Sequence, residues 1–208
     1  MLSFRLLVTA AAAALVAITA AFGEAPARVR GIITAIDDGS VTVKERDGRV
    51  FTLKTGPYTT YANVVPSSLD AIKVNDFVGS AVKGPLSDMV AVELAIIPEG
   101  MRAGRTSLYD WDPLPDPTAR HTSDMTATSM TNGLVSAEKG GASGRTLTVS
   151  YDGGSKSFRI TVPPNAPIVR YVLSDRLAVA IGSAVMIKTN PGDKAGLVTV
   201  GKGVKPPM

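Results

Sequence analysis

Apolar and polar positions alternate in short runs along most of this chain, and no stretch after residue 23 keeps a helical period. Side chains of a strand point alternately to its two faces, so alternation of this kind predicts half-buried strands. Val90, Val92, Leu94 and Ile96 fall on one face of such a run, and Leu147, Val149 and Tyr151 on one face of another. Asp47-Gly48 and Asp152-Gly153 each separate two such runs. Both pairs predict hairpin turns, because aspartate and glycine tolerate positive φ. A single helical turn is expected near residues 67–72, capped by Ser67 or Ser68, with a counterpart at 174–178.

The runs come in the same order twice. Gly31-Ile32-Ile33-Thr34-Ala35 is answered by Gly133-Leu134-Val135-Ser136-Ala137, and Val41-Thr42-Val43 by Leu147-Thr148-Val149. Val50-Phe51-Thr52-Leu53 is answered by Phe158-Arg159-Ile160-Thr161-Val162, and Val74-Asn75-Asp76-Phe77-Val78 by Ile181-Gly182-Ser183-Ala184-Val185. Leu94-Ala95-Ile96 is answered by Val198-Thr199-Val200. Matches kept in one order along the chain argue for an internal duplication. The expected fold is therefore all-β: two tandem small OB-like (or SH3-like) barrels, at residues 28–97 and 132–203, joined by a proline-rich ordered connector at 98–131. Each copy would hold three meandering strands, a connection and a final hairpin. Barrel closure would remove exposed strand edges.

The first 23 residues read as a targeting segment. Arg5 precedes an apolar, alanine-rich run over residues 6–20, and Ala21-Phe22-Gly23 fits a small-x-small cleavage site. Cleavage near Gly23 would deliver the mature chain to the periplasm or the exterior. Disulfides are permitted there, but the chain has no cysteine, so apolar burial must hold it together. The net charge of +4 is concentrated in the second copy. Such an excess speaks to weak attraction of anions rather than to fold. Aromatic content of 5%, together with export, argues against single-stranded nucleic acid as a partner.

The connector holds the one tryptophan, Trp111, and the one histidine, His121. Pro98, Pro113, Pro115 and Pro117 are expected to keep it extended and out of a sheet. Leu108, Tyr109 and Trp111 should dock on the barrels, and a long ordered loop is a common seat of function. Trp111, Tyr109 and Arg102 are thus the candidate ligand-binding residues. His121, Met125 and Met130 are the candidate metal ligands, since thioethers with an imidazole suit copper(I). Methionines also serve as gap-fillers in cores, and a lone loop histidine is commonly just solvated. Asp110, Asp112 and Asp116 lie close together, but the intervening prolines forbid an EF-hand loop.

Catalytic patterns are scarce. Without cysteine and with one histidine, no nucleophile has an evident base. Ser80 to Lys83 and Ser136 to Lys139 match the S-x-x-K spacing, but Lys54-Thr55-Gly56 precedes both, the reverse of the order that penicillin-recognising enzymes need.

Pro98-Glu99-Gly100-Met101-Arg102, Trp111-Asp112 and Met130-Thr131-Asn132, set between two β copies, resemble exported bacterial proteins that carry tandem copies of an uncharacterised β module, a domain-of-unknown-function family. The resemblance implies a barrel-type repeat and an envelope location, and it brings no activity or site residues. The expected function is a non-catalytic periplasmic binding or scaffolding protein. Its partner would be an envelope protein, an anionic glycan or a lipid headgroup. A copper-handling protein and an unrecognised hydrolase with paired carboxylates are the alternatives.

Overall fold

The computed structural model describes residues 24–102, 108–121, 123–141 and 144–206; the expected targeting segment at 1–23 lies outside them. The described chain is all-β, with helix only as isolated 3-10 turns. Its strands are β1 (Arg28–Asp37), β2 (Ser40–Glu45), β3 (Val50–Lys54), β4 (Thr60–Pro66), β5 (Phe77–Lys83), β6 (Met89–Ile97), β7 (Leu108–Pro115), β8 (Met125–Gly141), β9 (Gly144–Tyr151), β10 (Lys156–Val162), β11 (Ile168–Ser174), β12 (Ala184–Asn190) and β13 (Lys194–Gly201). No helix of the described residues is long and apolar enough to cross a membrane.

Strands β10, β9, β8, β5 and β6 pair in that order, and β6 returns to β10 to close a five-strand barrel. Its interior holds Val78, Leu94, Val149, Phe158 and Ile160, all buried. The outer strands run β3-β2-β1-β12-β13, curled so that β13 makes one bridge to β3 at Lys194 and Lys54. They wrap a second core of Val29, Ile33, Val43, Leu53, Ile187 and Val198. Complete burial of each of these aliphatic side chains contributes about 1.5–3 kcal/mol, which is how a chain without disulfides holds two such cores.

Each sequence copy was expected to close on itself, and the pairing differs. Hairpin β5–β6, from the expected first copy, completes the barrel of β8, β9 and β10, which lie largely in the expected second. Hairpin β12–β13, from the expected second copy, completes the sheet of β1, β2 and β3, from the expected first. Strands β4 and β11 make this exchange possible. They pair antiparallel with each other, Val64 facing Tyr171, and each lies parallel to the neighbouring hairpin, β4 on β13 and β11 on β6. Each therefore carries its chain across the seam, β4 toward the barrel and β11 toward the outer strands. The sequence pattern places β4 and β11 inside a connection.

Positions that the sequence pattern matches make similar contacts. Asn75 and Gly182 both take positive φ, and their N–H groups donate to the carbonyls of Val135 and Ile33. The expected helical turns are present as 3-10 turns at Leu69–Ala71 and Arg176–Ala178. Ser68 stands at the start of the first but makes no side-chain cap; Asp175 caps the second by accepting from the Leu177 N–H.

The connector is also different from expectation. Residues 108–115, prolines included, form β7, which pairs with β8. Proline is admissible there because β7 pairs on one side only among the described strands, so its outward positions need no amide partner. A register shift between Trp111 and Leu114 accommodates Pro113.

Candidate functional site

Alternation along β1 buries Val29 and Ile33 and leaves Arg28 and Arg30 on the outer face. That face meets β7 across the seam. Arg28 grips the Asp112 carboxylate with both arms of its guanidinium, Nε to Oδ2 at 2.7 Å and Nη2 to Oδ1 at 2.5 Å. Arg30 adds a bond from Nη1 to Oδ2 at 2.7 Å. The bidentate geometry is the strong form of this pair. The Arg28 hydrogen bonds, helped by the Arg30 bond and both positive charges and opposed by partial burial, hold the Asp112 carboxyl down at about 2.

The same guanidinium lies 3.9 Å from the centre of the Trp111 ring, in cation–π contact. Tyr109 meets Trp111 edge to face, with centroids 5.8 Å apart and planes at 73°. The Tyr109 hydroxyl accepts from Asn132 Nδ2 at 3.3 Å. These groups form one wall of a cavity of about 370 Å³ in the seam, within the size range of small-ligand clefts. Met130, Met186 and Tyr171 add apolar surface, and Lys188 stands at the rim. Gly79 keeps the cavity open: a Cβ there would lie 2.8 Å from Asn132 Oδ1 and 3.2 Å from Ile97 Cδ1. Burial pushes the Tyr171 phenol far up, with the Glu93 charge adding to it, so it stays neutral.

A second concavity of about 360 Å³ adjoins the first through Lys188 and Leu197, which line both. Arg102, Asn190 and Thr60 are among its other lining residues. Among the described residues no aspartate or glutamate lines either concavity. Roomier depressions lie beside Arg176 and beside Lys44, at about 480 and 540 Å³. Both are more open to solvent than the cavity beside Trp111, and neither has paired aromatic walls.

The candidate residues separate clearly. Tyr109 and Trp111 share the first cavity, and Arg102 lines the second, 5.8 Å from the Phe77 ring centre. The three proposed copper ligands are not brought together. Met130 is buried in the seam core, whereas Met125 and His121 are exposed. Met125 and Met130 are five residues apart on β8, which places them about 16 Å apart along the strand and on opposite faces. One metal ion cannot bind both. No cluster of three or more His, Asp or Glu residues with metal-binding arrangement occurs among the described residues. Asp112 and Asp116 face basic partners, the arginines and Lys83 respectively. Arg28, Asn132, Tyr171 and Lys188 escaped the site reading. Only the fold brings β1, β8, β11 and β12 to one seam, and no local spacing signals that.

The fold and site thus define an all-β chain with an aromatic-walled, cation-rimmed groove in the seam between a five-strand barrel and the outer strands. No protein-family model matches the chain, and no curated protein or solved structure does.

Proposed function

We propose that this chain is an exported, non-catalytic binding protein of the bacterial envelope, and that the seam groove is its binding site. The observation that carries this reading is the cavity walled by Tyr109 and Trp111 and flanked by Arg28 and Lys188. A largely apolar concavity with a few converging polar groups is the usual form of a ligand site. Export rests on the charge, apolar run and small residues of the first 23 positions. A duplicated small barrel, with copies at 28–97 and 132–203, is supported by the matched positions of Gly31 with Gly133 and of Asn75 with Gly182.

Capture of partners from a native envelope extract, with the mature chain as bait, tests the reading. Wild type should retain a partner that Trp111→Ala loses, about tenfold or more by recovered amount, because truncating a central aromatic anchor costs about 2 kcal/mol or more. Retention should weaken as salt is raised, since exposed Lys188 and Arg102 act through screened charge. Equal capture by wild type and Trp111→Ala would remove the groove as the site.

A further inference from the structure

Resting on that reading, we infer that the groove takes an anionic oligosaccharide, laid across both concavities with a sugar ring on the aromatic wall and its acidic groups on Lys188 and Arg102.

Charge comes first. Arg28, Lys188 and Arg102 line the two concavities, and no carboxylate among the described residues lines either. Arg28 is already matched by Asp112. Lys188 has no ion pair among the described residues, and Arg102 reaches only the exposed Glu99, at 3.9 Å. An i,i+3 contact of that length in water contributes little. Two cations are therefore available, one where the concavities meet and one beyond it, which suits charges repeated along a ligand rather than a single anion.

The remaining lining suits sugar. The C–H face of a pyranose packs on the electron-rich face of an aromatic ring; Tyr109 and Trp111 line the cavity and supply such surface, with Arg28 on one face of Trp111. The two amides, Asn132 in the first concavity and Asn190 in the second, can donate to and accept from hydroxyls. An acidic peptide fits less well. Extended peptides bind by adding to a free strand edge, and here β12 is paired to β1 and β13, and β13 to β12 and β4. The free edge of β7 carries Pro113 and Pro115.

Trp111 is the sole tryptophan, so its fluorescence reports on the groove without labelling. The mature chain is titrated with tetragalacturonate, maltotetraose and tetraglutamate, with calorimetry in parallel. Tetragalacturonate should bind saturably. Maltotetraose should bind about tenfold more weakly for lack of charge, and tetraglutamate about tenfold more weakly for lack of rings. Lys188→Ala and Arg102→Ala should each weaken tetragalacturonate about fivefold; Lys188 and Arg102 are exposed, so neither change should disturb folding. Tetraglutamate binding as tightly as tetragalacturonate would overturn the inference, as would a Lys188→Ala variant of unchanged affinity. Absence of tetragalacturonate binding, with Trp111-dependent capture from envelope extract retained, would overturn the saccharide assignment and leave the binding reading standing.

Discussion

Gly31→Ala and Gly133→Ala should each destabilise the protein by about 3 kcal/mol, at the upper end of the usual cost of overpacking. A Cβ at Gly31 would sit 2.1 Å from the Lys44 carbonyl oxygen, and one at Gly133 2.3 Å from that of Ser150. Both clashes are with backbone of the paired strand, so no rotamer change relieves them. Each glycine lies just before a register shift, in β1 against β2 and in β8 against β9, where the strands approach closely. For a chain of this size the melting temperature should fall by about 6–12 °C per substitution. The two effects should be similar and should add, because the clashes are alike and fall on separate strand pairs, β1 with β2 and β8 with β9. Gly39→Ala is the control: its Cβ would meet nothing within 4 Å, so it should be neutral or stabilise by about 0.5 kcal/mol. Calorimetry of the three variants checks this, and a Gly31→Ala protein as stable as Gly39→Ala would contradict it.

The second large effect is at Asp112. Removing its carboxylate leaves two half-buried arginines without their shared partner. The drop of the Asp112 carboxyl from 3.8 to about 2 corresponds to about 2.4 kcal/mol. The side chain is 37% exposed, and solvent screening reduces the figure to about 1 kcal/mol. Loss of the hydrogen bonds and of the ordered β7 wall should bring Asp112→Ala to about 2 kcal/mol in total. The pH dependence has a definite sign. A carboxyl held lower in the folded than in the unfolded state stabilises above its unfolded value, and that stability is lost as pH falls through the folded one. The stability gap between wild type and Asp112→Asn should therefore be constant at neutral pH and close between about pH 4 and 2. A gap unchanged at pH 2 would show that the charge contributes nothing. Asp112→Ala should also weaken ligand binding in the groove, because Arg28 loses its anchor beneath Trp111.

Most of the strand content was legible, because alternation and the Asp-Gly turns act locally. Val41-Thr42-Val43 and Leu147-Thr148-Val149 are strands, as their pattern dictates. Strands β4 and β11 were not recognised. Both lie between other strands, with neighbours on either edge, and runs such as Ala62-Asn63-Val64-Val65 carry no clean period. In β7 the prolines suggested irregular chain, whereas one-sided pairing makes them tolerable. The exchange of hairpins was illegible for a deeper reason. Two segments with similar strand patterns can pair within or between themselves using the same side chains. The choice falls to the path of β4 and β11, which no local pattern records. Tyr109, Trp111 and Arg102 could be singled out because they stand in the least regular part of the sequence. Arg28 and Lys188 look like ordinary outward residues until the seam brings their strands beside β7.

The groove exists because the hairpins are exchanged, and the cysteine-free chain allows that exchange to be tested by cross-linking. Ile32 lies directly opposite Ala184, and paired positions on adjacent strands are within disulfide reach. The protein carrying Ile32→Cys with Ala184→Cys should form an intramolecular disulfide in the monomer under mild oxidation, seen by mass spectrometry of the linked peptides. Leu134 is the counterpart of Ile32 in the second copy, so Leu134→Cys with Ala184→Cys should stay reduced. Cross-linking of Leu134 with Ala184, and not of Ile32 with Ala184, would mean that each copy closes on itself.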